Sequence, residues 1–195
     1  MQIAPGISSN DWNALDLNGA ASPAWATAVD IFERRIRERY IEPIDHLIAV
    51  DLPKPPTERK FGFAILGLDC LLVETLSAFI EGLEDTDGKS KRVFRTFMRT
   101  RPRFKNTFTT DAIADQFYKE FRCGILHQAE VGGESKVWSV GPLLQINGKG
   151  FTVNRDEFHA CVKGEFEDYL AQLRDPTNVS LRQNFRTKMD LIARM

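Results

Sequence analysis

The chain predicts a mainly α fold, a helical bundle carrying a small β-hairpin or meander near residues 136–153. Three observations lead there. Apolar residues recur at helical spacing through most of the sequence. A period of two is confined to one short region after Gly133. Residues that start and stop helices stand where the periodic stretches begin and end.

Taken in order, residues 1–21 are rich in Gly, Ser, Asn and Ala and read as an irregular lead-in, leaving 22–195 as one helical domain. Ser22-Pro23 is a helix start, the hydroxyl capping and the proline preset for the first turn. Trp25, Val29, Phe32, Ile36 and Tyr40 then repeat along one face, until Pro43 bends or ends the helix. Ile44, Leu47 and Ile48 suggest a further short turn, with His46 at or near the surface. The segment from Asp51 to Lys60 is a proline-rich connection.

Phe61 to Leu83 is the most apolar stretch, but Asp69 and Glu74 interrupt it, which argues for a buried central helix over a membrane span. Cys70, Glu74, Ser77 and Glu81 make a narrow polar stripe, expected to be its wet edge. Asp69 falls instead among Leu66, Val73, Leu76 and Ile80, where an unpaired charge costs several kcal/mol, so it needs a partner. That partner is a backbone, Tyr or Trp donor, or else Arg122, which would place Asp69 beside a functional pocket.

From Lys89 to Lys105 come Lys89, Lys91, Arg92, Arg95, Arg99, Arg101, Arg103 and Lys105 with no acid among them, interleaved with Phe94, Phe97, Phe104 and Phe108. The phenylalanines are read as core anchors. The cations, Arg92, Arg95, Arg99, Arg101, Arg103 and Lys105 above all, are read as phosphate contacts for RNA. Thr109 and Thr110 then cap a helix whose Ile113, Ala114, Phe117, Tyr118, Phe121 and Ile125 form one broad face, stopped by Gly132-Gly133. Short β-like runs follow at 136–140, 143–146 and 151–153, with Trp138 as an anchor and Asn147-Gly148 as a hairpin turn. Asn154 and Glu157 make a capping-box start for the next helix, on which His159 falls outside the apolar face and reads as a surface residue. A last helix, Leu181 to Met195, docks on the body or on a second subunit.

Arg122 and His127 are the residues that carry chemistry. They stand with four residues between them near the end of the capped, aromatic-rich helix, whereas Arg39 and His46 have Pro43 between them. The arrangement resembles the HEPN superfamily, small α-helical and commonly dimeric domains with an arginine followed four to six residues later by histidine. Many of them are metal-independent ribonucleases of toxin–antitoxin and defence systems, and some have lost catalysis. The resemblance implies that His127 acts as acid or base and that Arg122 stabilises the phosphorane. Cys123 stands where family members often carry Asn, Asp or His, and with Asp69 is a candidate for site support. On an α-helix His127 lies roughly 140° around from Arg122, which argues for a homodimer pairing the arginine of one copy with the histidine of the other.

The function classes narrow accordingly. There is no P-loop, GxSxG, dinucleotide fingerprint or metal-ligand cluster, so no metal and no cofactor are expected. With Lys and Arg totalling 26 against 27 acids, nucleic-acid binding has to come from a local patch. Three scattered cysteines and an N-terminus without a signal pattern point to the cytoplasm and to no membrane association. Three readings stand: a HEPN-type endoribonuclease with a cognate antitoxin or defence partner, a non-catalytic HEPN-like dimeric module binding a partner protein or nucleotide, or a helical scaffold in which the motif is accidental.

Overall fold

The computed structural model describes Met1–Met195 and is mostly helical, with two small sheets. The N-terminal residues are more ordered than their composition suggests. Strands β1 (Gln2–Ala4) and β2 (Ile7–Ser8) pair antiparallel, and Ser8 with Asp11 forms a capping box that starts α1 (Ser9–Asn13). Ile3, Ala4, Trp12 and Leu17 are buried, and the Trp12 indole donates to Asp190 at 2.8 Å. These elements are too short to show a period, so the expectation of an irregular lead-in is corrected here.

Helix α2 (Ala24–Ile36) passes through a π-turn (Arg37–Ile41) into α3 (Glu42–Asp51), with Pro43 in the first turn of α3. Proline in a helix removes one hydrogen bond and its ring meets the carbonyl four residues back. The wider π-turn just upstream gives that ring room, and the chain stays helical where a bend or an end was expected. Helix α4 (Gly62–Glu81) is the central element, packed against α5 (Ser90–Thr100), α8 (Arg155–Arg174) and α9 (Val179–Arg194). It is long and apolar enough to cross a membrane by composition, yet 67% of that window is buried among the other helices. Its polar stripe is not a wet edge: Cys70, Glu74 and Ser77 are all buried.

Between α5 and α8 the chain makes α6 (Asp111–Phe117), a second π-turn (Tyr118–Cys123), α7 (Gly124–Gln128) and three strands, β3 (Lys136–Trp138), β4 (Leu144–Asn147) and β5 (Gly150–Asn154). The strand order is β3-β5-β4, with β4–β5 antiparallel and β3–β5 parallel, so the sheet is a hairpin plus a crossover strand and not a meander. The hairpin turn itself is Gly148-Lys149, with Gly148 at φ 59°, as a first turn position with positive φ requires. Phe151 and Val153 fix the sheet to the body, whereas Trp138, expected to be the anchor, is 38% exposed.

The core is dominated by phenylalanine. Phe32 and Phe79 lie tilted against each other with ring centroids 4.5 Å apart, and Phe117 stacks on Phe121 at 4.6 Å and on Phe158 at 5.3 Å. Phe185 of α9 packs among Trp12, Trp25, Phe32 and Phe79, so the last helix docks on its own body. One ion pair is fully buried within the fold. Asp51 accepts from Arg155 at 2.7 Å, from Lys54 at 2.9 Å, and from the amides of Lys60 and Phe61 at 3.0 Å each. Burial alone would raise its pKa, but these four donors hold it far below the usual carboxylate range.

Candidate active site

The motif helix starts as its sequence predicts, with the Thr110 hydroxyl accepting from the Ile113 amide at 3.3 Å and Ala114, Phe117 and Phe121 turned into the core. It ends differently. Ala129, not a glycine, takes the left-handed conformation at φ 53°, and Gly132 lies against the Cα of Glu120 with its amide donating to the Glu120 carbonyl at 3.0 Å. Gly124 is required by the same fold-back, since a Cβ there would sit 2.5 Å from the Glu130 carbonyl.

Within this helix the Tyr118–Cys123 segment is a π-turn, which holds roughly one more residue per turn than an α-helix. The π-turn ends before His127, so its extra residue turns Arg122 and His127 together relative to Phe117 and the residues before it. The two side chains meet within one chain, Arg122 Nη1 lying 3.3 Å from His127 Nε2. The expectation that one helix holds the two side chains too far apart to meet is therefore corrected. An arginine N–H can only donate, so Nε2 accepts in this contact and the ring proton is on Nδ1.

Arg122 is held by a residue that the polar stripe of α4 hid. Its Nε lies 2.5 Å and its Nη2 3.4 Å from the two carboxylate oxygens of Glu74, and Tyr118 lies under the guanidinium at 5.5 Å. Burial would lower the arginine pKa, but Glu74 raises it, so the cation is permanent. The bidentate grip uses Nε and Nη2 and leaves Nη1 for His127 or for a ligand. His127 itself is exposed. Cys123 hydrogen-bonds neither of them and lines a shallow depression with Lys91, Asp115, Lys119 and Glu120.

Asp69 is buried and paired, but with neither Arg122 nor a backbone, Tyr or Trp donor. Its Oδ1 lies 2.8 Å from His159 Nδ1, and His159 Nε2 lies 3.2 Å from Asp45, which Lys163 reaches at 2.6 Å. His159 is 3% exposed, correcting its placement at the surface. The helical projection put it off the apolar face, but the face it occupies meets α4. Two carboxylates around one imidazole favour the protonated ring, and although burial opposes this, His159 is raised above its ordinary value. Burial dominates for Asp69, whose Oδ2 has no partner, and its pKa is pushed up to about 6. Both folded pKa values exceed the unfolded ones, so the pair contributes stability at low pH that is lost as pH rises through about 6 and beyond. Urea unfolding of wild type and Asp69→Asn between pH 4 and pH 8 is expected to show wild type losing ground to the variant as pH rises. A constant difference would remove the pair as a titrating element.

The basic stretch is largely neutralised by acids distant in sequence. Arg92 meets Glu81 at 2.7 Å, Arg95 meets Asp111 and Asp115, Arg99 meets Asp111 at 3.0 Å, Arg101 meets Glu165 at 2.9 Å and Arg103 meets Asp168 at 3.0 Å. Lys105 is exposed and makes no ion pair, whereas Phe94, Phe97, Phe104 and Phe108 are buried as anchors. No three His, Cys, Asp or Glu side chains gather closely enough to hold a metal ion. Comparison with family models, with curated proteins and with solved structures finds no match to this chain.

Proposed function

We propose that the chain is a metal-independent endoribonuclease of HEPN type, acting in a defence or toxin–antitoxin setting. The observation that carries the reading is the 3.3 Å approach of Arg122 Nη1 to His127 Nε2 at an exposed helix end. A phosphodiester entering between them takes the Nη1 donor onto a non-bridging oxygen and frees the Nε2 lone pair. Nε2 then removes the ribose 2′-hydroxyl proton, the 2′-oxygen attacks phosphorus, and the P–O5′ bond breaks. The departing 5′-oxygen takes a proton from the imidazolium, leaving a 2′,3′-cyclic phosphate and a 5′-hydroxyl. The test is cleavage of RNA in EDTA by purified protein, with a substrate carrying one 2′-deoxy sugar at the cut site as control. Cleavage of that control at the modified position would rule out internal attack.

RNA affinity is assigned to the Lys89–Lys105 stretch, where a phosphate must compete with the acids just described. Replacing Arg92, Arg95 and Arg99 by Gln is expected to weaken binding and to flatten its salt dependence by about 0.7 for each phosphate no longer neutralised. Each exposed pair stabilises the fold by only about 0–1 kcal/mol, so the triple variant should remain folded. Fluorescence anisotropy at several salt concentrations measures this, and an unchanged slope assigns these cations to structure alone. A homodimer, a cognate antitoxin or a defence partner belongs to the same proposal through the resemblance, not through any geometric need for a second copy.

The second reading is a non-catalytic HEPN-like module. Glu74 favours it, because a carboxylate already neutralises Arg122. Absence of RNA cleavage by folded wild-type protein would select it.

A further inference from the structure

Most arginines in this chain face a carboxylate within 4.0 Å; Arg35, Arg39, Arg182 and Arg194 do not. Arg182 is satisfied by the carbonyls of Leu173, Ala20 and Arg174, and Arg194 is exposed at the end of α9. Arg35 and Arg39 are left, four residues apart across the end of α2 and its π-turn. Both line a cleft of about 520 Å³, which Lys188 of α9 and the Arg122–Glu74 pair also border.

The cations of this cleft are short of partners. Arg35 gives one N–H to the Ile3 carbonyl and Lys188 gives one to the Glu84 carbonyl, leaving most of their donors unused. Glu84 and Asp85 also border the cleft but are exposed and make no ion pair, and Glu74 is taken up by Arg122. Burial, with Arg39 adding repulsion, brings Arg35 down to about 10, and burial also lowers Lys188. Like charges held together beside an apolar wall that includes Ile36, Phe79 and Ile192 are a cost to the free protein. An anion removes that cost. Guanidinium forks match phosphate oxygens two at a time, and an ammonium adds a point charge. Three underused cations around this volume carry more positive charge than one phosphate, at about −1.5 to −2 near pH 7, neutralises.

We propose that the cleft between α2, α4 and α9 is a binding site for a small anion carrying two or more phosphate groups, gripped by Arg35, Arg39 and Lys188. Arg122 borders the cleft through its pair with Glu74, but the three gripping cations are other residues and the proposal does not rest on RNA cleavage.

Calorimetric titration of the full chain with inorganic pyrophosphate tests it. One site is expected, weakened at least tenfold in Arg39→Gln and in Lys188→Gln, and unchanged in Arg174→Gln, whose guanidinium is paired with Asp30 and Glu33. Arg39 is exposed and makes no hydrogen bond, so its variant is expected to keep the wild-type circular dichroism spectrum and Tm. Orthophosphate is expected to bind at least tenfold more weakly than pyrophosphate. His127→Ala is expected to bind pyrophosphate like wild type even where it cleaves no RNA, which separates this site from the nuclease reading. No binding at millimolar pyrophosphate, equal binding by Arg39→Gln and Lys188→Gln, or orthophosphate and sulfate binding as tightly as pyrophosphate would each overturn the proposal.

Discussion

His127→Ala is expected to slow RNA cleavage in EDTA by about 10²–10⁴-fold, the usual contribution of a positioned proton-transfer group. The side chain is exposed and its one hydrogen-bond contact is with Arg122, so the variant should unfold at the wild-type Tm. Arg122→Ala is expected to cost about 10²–10³-fold, by analogy with other donors that face developing negative charge. Here loss of activity alone proves little. The arginine lies off the apolar face of its own helix, which suggests an easily tolerated change, but removing it strands Glu74, which is 6% exposed. Stranding a buried charge costs about 3–5 kcal/mol. The double variant Arg122→Ala with Glu74→Ala removes both charges and is expected to recover much of that stability without recovering cleavage. If activity survived in His127→Ala, or returned with stability in the double variant, the nuclease reading would fail.

Asp51→Ala is expected to be the most damaging single change to the fold itself. It leaves Arg155, 2% exposed, with only Asp156 at 3.2 Å as a carboxylate partner, and orphans the amides of Lys60 and Phe61 at the entry to α4. Breaking a buried pair from one side costs about 3–5 kcal/mol, and each stranded amide adds roughly 1–3 kcal/mol where water does not reach it. Urea unfolding at pH 7 measures the loss, and a decrease below about 1 kcal/mol would show that water replaces the carboxylate. Asp51→Asn is the milder companion, because an amide oxygen can still accept from the backbone.

What could be read from the residues was whatever repeats. The faces of α2, α4, α5, α8 and α9 follow from apolar spacing, and the caps at Thr110 and Asn154 from short polar side chains before such faces. The buried position of Asp69 follows from the same geometry. Its partner does not, because pairing depends on which face of α8 meets α4, and nothing local to His159 records that. The parallel β3–β5 pairing is equally non-local, whereas the N-terminal strands pair locally but are too short to show a period. Glu74 was visible as a carboxylate in a narrow stripe of an otherwise apolar helix, which in retrospect is where a cation from another helix docks. The basic stretch shows the converse: a run without acids in sequence says nothing of the acids that folding brings alongside it.

The π-turn at Tyr118–Cys123 adds to the Arg-x4-His spacing something its letters do not carry. A motif is counted in residues, but its side chains face their surroundings according to phase around an axis. One extra residue in a turn resets that phase, much as an added tooth shifts the mesh of a gear. Deleting a single residue between Tyr118 and Phe121 would let this segment revert to α-helix, preserve every letter from Arg122 to His127, and still turn both side chains together by about 100° relative to Phe117 and the helix before it. A π-turn upstream of the pair thus sets the direction in which both side chains face.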